Sequence, residues 1–317
     1  MKILVYGAGV LGSYLAYELK KTNKDITILA RGDRYKELKE NGLVIEHYIQ
    51  MKTTKTEVNV VDSFKIDDYY DIVFIVMQCW QIRDVLPCIC ENTICKTYVF
   101  IGNNFEVKKI SNTMQKNSSI KPKVLFGFLG AAGKYENNKI ISVHKRKSTL
   151  SIGSIESEYS VENINRIFKE SDIKLEYYNN IDGYLKYHVA LILPIVYLCY
   201  FANGDLKSAA KNKELLKSVI EAVVESFAML KSLSIESEGV DYLEYIQEAR
   251  KKYYLLLKIV MITPIGKLAF ANHAMYAVKE MTELDREFHE LREKSHLSMP
   301  NFDRLREYLI TNKNTET

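Results

Sequence analysis

A chain of 317 residues has room for two domains of ordinary size, each with its own core. An apolar share of 47% beside 26% charged residues is that of a soluble globular protein, and a dispersed net charge of +4 is too small for a nucleic-acid footprint. The five cysteines (Cys79, Cys88, Cys90, Cys95, Cys199) are odd in number and lack paired C-x-x-C spacing, so no metal site is expected.

The first apolar run, Ile3–Tyr6, stops at Gly7, so no secretory signal is expected. The longest, Val189–Ala202, spans 14 residues and contains Pro194. A membrane span needs about 20. This run reads as a core helix, and a cytoplasmic protein without membrane contact is expected.

Strands are predicted at Ile3–Tyr6, Ile26–Ala30, Ile72–Met77, Tyr98–Ile101 and Val124–Leu129, with helical patterns at Val10–Lys21, Asp33–Glu40, Trp80–Cys90 and Val107–Gln115. Continuous apolar strands separated by helices imply a parallel sheet covered on both faces. After Gly130 alternation takes over, with antiparallel strands expected at Ile140–Val143 and Thr149–Ile152 and a last strand at Leu175–Tyr178. The short basic run Val143–Thr149 reads as a solvated hairpin. From Ile181 onward helical periods dominate: Gly183–Phe201, Lys211–Leu233, Tyr242–Leu257, Gly266–His296 and Phe302–Leu309, with Pro264 and Pro300 at helix ends and a frayed tail at Asn312–Thr317. The boundary therefore falls near Asn179–Asp182, giving domains 1–180 and 181–317.

Gly7, Gly9 and Gly12 form G-x-G-x-x-G after a strand and at the opening of a helix, the context this pattern requires. Gly7 permits the turn, Gly9 removes a side chain where a pyrophosphate approaches, and Gly12 lets helix and strand pack closely. The loop Gly7, Ala8, Gly9, Val10, Leu11, Gly12 would present helix N–H groups to that anion. A glycine-rich turn without ligand is the competing reading. At the end of the second strand the first charged residue is Arg31, which suits a 2′-phosphate and favours NADP(H). Asp33, the rival contact for a free ribose hydroxyl, looks better placed to cap the next helix.

These features resemble the ketopantoate reductases (2-dehydropantoate 2-reductases). The resemblance rests on the glycine loop, Arg31-Gly32, the stretch RYKELKENGL at Arg34–Leu43, Trp80-Gln81, the Asn103 turn and the C-terminal stretch Met281–Leu309. It implies an N-terminal Rossmann-type doubly wound α/β domain followed by an all-α substrate and dimerisation domain. It also implies NADPH-dependent reduction of a small 2-oxo acid in a cleft between them. Carried over residue by residue, the resemblance makes Lys186 the catalytic lysine, Glu283 the carboxylate that orients substrate or lysine, and Asn103 a contact to cofactor and substrate. Asn272 is expected among the substrate contacts, and Gln78 replaces a family lysine near the cofactor. Read without the resemblance, Lys186 stands as the last positive charge before an apolar stretch. It serves equally as a proton donor or as a lysine snorkelling from the helix start.

The sequence departs from the pattern at Gln78, Ala190, Pro194 and Ala271, all in place of family polar residues. Lys186, Ala190 and Pro194 share a helix face, and Pro194 should kink that helix. His273 could replace a lost hydrogen bond, although a surface histidine is the plainer reading. Three functions stay open: the ketopantoate-like reductase, a reductase of another oxo acid, or an NADP(H)-binding sensor or interaction module. A long amphipathic all-α domain also suits a homodimer.

Overall fold

The computed structural model describes residues 1–156, 160–238 and 242–313. It divides into two compact units, Met1–Asp182 and Gly183–Thr317.

The first unit is built on β1 (Lys2–Tyr6), β2 (Asp25–Leu29), β6 (Ile72–Val76), β7 (Thr97–Ile101) and β8 (Lys123–Leu129). Their unbroken apolar runs are those of strands covered on both faces; every residue of β6 is buried. With β5 (Asn59–Val61), β11 (Ser148–Gly153) and β12 (Ile173–Tyr177) they form one sheet in the order β12-β11-β8-β7-β6-β1-β2-β5. Among the described residues of this sheet, only the β8–β11 pairing is antiparallel. Strand order runs outward in both directions from β1, so the carboxyl end of β1 is the switch point at which such sheets bind ligands. The helices α1 (Val10–Lys20), α2 (Gly32–Asn41), α3 (Cys79–Glu91), α4 (Val107–Asn117) and α5 (Val161–Phe168) connect these strands.

A second sheet joins β3 (Leu43–His47), β4 (Lys52–Thr56), β9 (Ala131–Glu136) and β10 (Lys139–His144) in the order β4-β3-β10-β9. Asn137 and Asn138 turn the β9–β10 hairpin with φ of 50° and 59°, the left-handed pair a two-residue turn needs. The basic run after Val143 is no hairpin. It links β10 of this sheet to β11 of the other, and only Lys145, Arg146 and Lys147 are exposed. Helix α1 packs against β1 and β2 on one side and β3, β9 and β10 on the other. That is why every residue from Gly12 to Leu19 is buried. Glu18 is tolerated there because Lys21 pairs with it at 2.7 Å and the Asp172 amide donates to it at 2.9 Å.

Between these layers lies a buried polar chain. His144 Nδ1 is 2.8 Å from the Lys145 carbonyl oxygen and must carry the proton there. His144 Nε2 then accepts from His47 Nδ1 at 2.9 Å, and His47 Nε2 accepts from the Thr54 hydroxyl at 2.9 Å. Tyr14 Oη joins the chain at His144 Nδ1, 3.3 Å away, and extends it to Ser148 Oγ at 2.8 Å. Both rings are used in their neutral form. Burial, followed by the His144 ring, Lys52 and Lys21, lowers the His47 pKa from 6.5 to about 4; burial lowers that of His144 too. Unfolding lets His47 take up a proton, so its contribution is fully present above about pH 6.5 and lost as pH falls towards about 4. Denaturant unfolding measured across that window should lose about 3 kcal/mol, and His47→Gln should flatten the slope. An equal slope in wild type and His47→Gln would remove the assignment.

The second unit is helical: α6 (Ile181–Phe201), α7 (Leu206–Ala209), α8 (Lys213–Ser232), α9 (Tyr242–Glu248), α10 (Arg250–Ile262), α11 (Pro264–Gly266), a π-helical turn at Lys267–Ala271, α12 (Asn272–Tyr276), α13 (Val278–Arg292) and α14 (Pro300–Lys313). Helix α6 begins in the last two residues of the first unit. It runs unbroken through Pro194 for 21 residues, longer than its apolar run. Among the described residues it is the one single helix long and apolar enough to cross a membrane, and 61% of its most apolar stretch is buried in the protein. The expected helix Tyr242–Leu257 is interrupted at Ala249, and Gly266–His296 is broken by the π turn and by Ala277 (φ −109°, ψ 37°). Pro264 and Pro300 open helices as expected. Helix α14 reaches Lys313, while 314–317, part of the expected tail, lie outside the described residues. The core of this unit contains a charged cluster: Asp285 accepts Tyr197 Oη at 2.6 Å and Arg306 Nε and Nη2 at 2.8 and 2.9 Å. The bidentate pair satisfies a carboxylate only 2% exposed.

Candidate functional site

In the first unit the glycine loop leaves the carboxyl end of β1, and each glycine has a distinct reason. Gly7 has φ 123°, and a Cβ there would lie 2.1 Å from the Val76 carbonyl oxygen. At Gly12 a Cβ would lie 1.9 Å from the carbonyl oxygen of Gly7, so this residue lets α1 close onto the turn. Gly9 differs: no protein atom lies within 4 Å of a Cβ built there. No packing or strain demands glycine at that position. It is the N-cap of α1, no side chain caps the helix, and its first turn holds no acid. An exposed, uncapped helix start behind a bare backbone is suited to an anion. Ala8, Val10 and Leu11, half-buried, complete the loop.

Arg31 stands beside it, at the carboxyl end of β2. Its Nη2 donates to Tyr6 Oη at 2.6 Å and its guanidinium lies 5.7 Å from that ring. Asp33 does not cap α2; it is exposed in the first turn, 3.6 Å from Lys36. Arg34, whose role sequence reasoning missed, reaches further into the loop. Its Nε donates to the Ala8 carbonyl at 3.2 Å and its Nη2 to Ser13 Oγ at 3.2 Å. Glu37 pairs with it at 2.6 Å and also accepts the Tyr135 hydroxyl. An arginine one turn into a helix carries no sequence signal of such a bracket.

Gln78 and Asn103 follow β6 and β7, the next strands along the same carboxyl edge. The Gln78 carboxamide oxygen accepts the Trp80 indole N–H at 2.7 Å, and Gln78 and Gln81 form a capping box that starts α3. Gln78 thus serves as the N-cap of its own helix. Asn103 is buried beside Gly102, which carries the positive φ of the turn at 145°. Asn104 is not in the left-handed region, the positive φ here being that of Gly102. Asn104 instead accepts the Glu106 amide at 3.0 Å.

In the second unit Lys186 lies on α6, half-buried between Leu185 and Tyr187. One turn on, Ala190 is fully buried, and Ala271 is buried at the end of the π turn, immediately before Asn272. Tyr200 Oη donates to the Ala274 carbonyl at 3.0 Å and Tyr197 bonds Asp285, which ties α6 to α12 and α13. Glu283 on α13 accepts Arg286 Nη2 at 3.0 Å, so its charge is shared with a guanidinium that sequence reasoning did not foresee. His273 is not simply a surface histidine. Its Nε2 lies 3.4 Å from Glu280 Oε2, and it interacts electrostatically with His188 of α6. Burial lowers both imidazoles, His188 to about 4 with His273 adding to the effect. His188, His273 and Glu280 thus form a neutral-imidazole cluster near the segments that carry Lys186, Asn272 and Glu283.

Residues 3–157, which contain the glycine loop, Arg31, Gln78 and Asn103, match the family model of the ketopantoate reductases PanE/ApbA. Over these residues the chain is similar to the ketopantoate reductase family. This match and a curated 2-dehydropantoate 2-reductase relative support an oxidoreductase. The 2-dehydropantoate 2-reductase of Pyrococcus horikoshii is 20% identical over 299 residues, covering 90% of this chain and 93% of that protein. Among solved structures, D-mandelate dehydrogenase with NADH and anilino(oxo)acetate superposes with a TM-score of 0.79 at 15% identity, covering 99% of both chains. A dimeric ketopantoate reductase from Staphylococcus aureus has a TM-score of 0.70 at 11% identity over the whole of both chains. At such identities these structures establish the Rossmann-type sheet followed by helices.

Proposed function

We propose that this chain belongs to the ketopantoate reductase family and reduces a 2-oxo acid to a 2-hydroxy acid with NADPH. The observation that carries the reading is Gly9, a glycine without an internal reason at an uncapped helix start on the switch point of the sheet. Bound there, the cofactor would supply the hydride. The loop Gly7–Gly12 would hold its pyrophosphate, and Arg31 would take the 2′-phosphate. Arg34 would fix the loop by gripping the Ala8 carbonyl. Gln78 would serve the cofactor only by shaping the start of α3. Lys186 would hydrogen-bond the keto oxygen and give it a proton as the alkoxide forms. Asn103, Asn272 and Glu283 would orient the substrate, and the product would leave as the neutral alcohol with its carboxylate intact.

The cofactor preference is tested by turnover of a panel of branched 2-oxo acids with NADPH and NADH. Wild type should favour NADPH, and Arg31→Ala should lower kcat/KM for NADPH at least roughly tenfold while leaving NADH nearly unaffected, since one phosphate contact is lost. Equal losses with both cofactors would refute the phosphate role. No NADPH oxidation with any 2-oxo acid, although NADPH binds, would move the reading to a binding module. Buried Ala190 and Ala271, at positions where the family carries polar groups, favour a bulkier and less polar oxo acid than ketopantoate. A homodimer is part of the same proposal. Leu255, Leu256, Ile259 and Ile262 of α10 are 47–57% exposed on one stripe, and Leu256→Glu with Ile259→Glu should convert a dimer to monomer in light scattering.

A further inference from the structure

We infer that the second unit carries a separate binding site for a small phosphate- or diphosphate-bearing anion, in a cavity of about 710 Å³ between α8, α10 and α14. It shares no residue with the glycine loop, nor with Lys186, Asn272 or Glu283. Five cationic side chains face it against two carboxylates. Two of the cations are already neutralised: Lys217 by Glu214 at 2.9 Å and Arg250 by Glu221 at 3.2 Å. The other three are Lys213, Lys251 and Arg304. None of them has an ion-pair partner among the described residues, and Arg304 donates only to the hydroxyl of Ser218. Three uncompensated charges around one cavity exceed what a carboxylate would balance and match a phosphate dianion or a diphosphate.

The backbone adds to this field unevenly. Helix α8 is capped by Asn212, and the first amides of α14 are taken by Glu225, which accepts Asn301 N at 3.1 Å and Phe302 N at 2.9 Å. Helix α10 has no side-chain cap and no acid in its first turn, and that turn, with Arg250 and Lys251, lines the cavity. Its free positive end therefore reinforces the unpaired cations. Ile220 and the half-buried Tyr254 add apolar surface to the same lining, so the ligand would carry a less polar body beside its phosphate.

The test is calorimetric titration with inorganic pyrophosphate at constant ionic strength. Wild type should bind saturably, and Lys251→Gln with Arg304→Gln should weaken binding at least roughly tenfold while Arg31→Ala leaves this binding in place. Should loss of the Arg304–Ser218 bond impair folding, the single variant Lys251→Gln, at an exposed side chain, should still weaken it several-fold. Pyrophosphate binding unchanged in the Lys251 variant, abolished by Arg31→Ala, or not saturable in wild type would overturn the site.

Discussion

Lys186→Ala is expected to lower kcat with the 2-oxo acid that wild type turns over by roughly 10²–10⁴-fold, the usual range for loss of a positioned proton donor. Hydride addition places negative charge on the keto oxygen, and an ammonium at hydrogen-bond distance both stabilises that charge and discharges it. The helix holds Lys186 suitably: buried Leu185 and Tyr187 flank it, and the Tyr187 hydroxyl is anchored on the Ile235 carbonyl at 3.2 Å. Neighbouring residues so fixed limit how far the lysine stem can wander. Lys186→Arg separates the two parts of the role, since guanidinium keeps the charge but gives up its proton poorly. It should recover substrate affinity more than kcat. NADPH affinity should be near wild type in both variants, because the loop belongs to other residues. An unchanged kcat in Lys186→Ala would leave the lysine a snorkelling side chain.

The three glycines of the loop should respond oppositely to the same added methyl group. Gly12→Ala and Gly7→Ala place Cβ within 1.9 and 2.1 Å of carbonyl oxygens, a backbone collision that no rotamer relieves. Each should cost on the order of 3 kcal/mol of stability or prevent folding. Gly9→Ala meets no protein atom, and unfolding should shift by less than about 0.5 kcal/mol. Its methyl group projects where the pyrophosphate would approach, so NADPH affinity should fall at least roughly tenfold, or about 1.4 kcal/mol. Thermal unfolding with a binding titration reads both quantities. Wild-type NADPH affinity in Gly9→Ala would mean that the loop is a turn and nothing more.

The main sheet is legible in the order of residues alone. β1, β6, β7 and β8 are continuous apolar runs because both faces of a parallel sheet are covered. G-x-G-x-x-G follows such a run because a tight turn, a close approach and a close packing each exclude a side chain. The second sheet is less legible. β4 reads Lys-Thr-Thr-Lys-Thr with no apolar period, β5 of the main sheet is three residues long, and β9 opens Ala-Ala-Gly. These strands are specified by their partners more than by their own composition.

The site shows the same division. Gly7, Gly9, Gly12 and Arg31 are readable because their requirements are local, set by the residue's own backbone or its place at a strand end. The bracket that Arg34 makes on Ala8 and Ser13 is not readable in this way. Nor are the indole that occupies Gln78, the guanidinium on Glu283 and the contact of His273 with Glu280 and His188. Each depends on which side chain meets which after the chain has closed. Tyr14 and His144, 130 positions apart, are the plainest instance. By itself the sequence determined the central parallel strands with the helices between them, the switch-point loop and the sign of the charge beside it, because periodicity and glycine placement record burial and backbone demand. Only the tertiary structure decided which polar groups are already partnered, because hydrogen bonds and ion pairs form between neighbours in space.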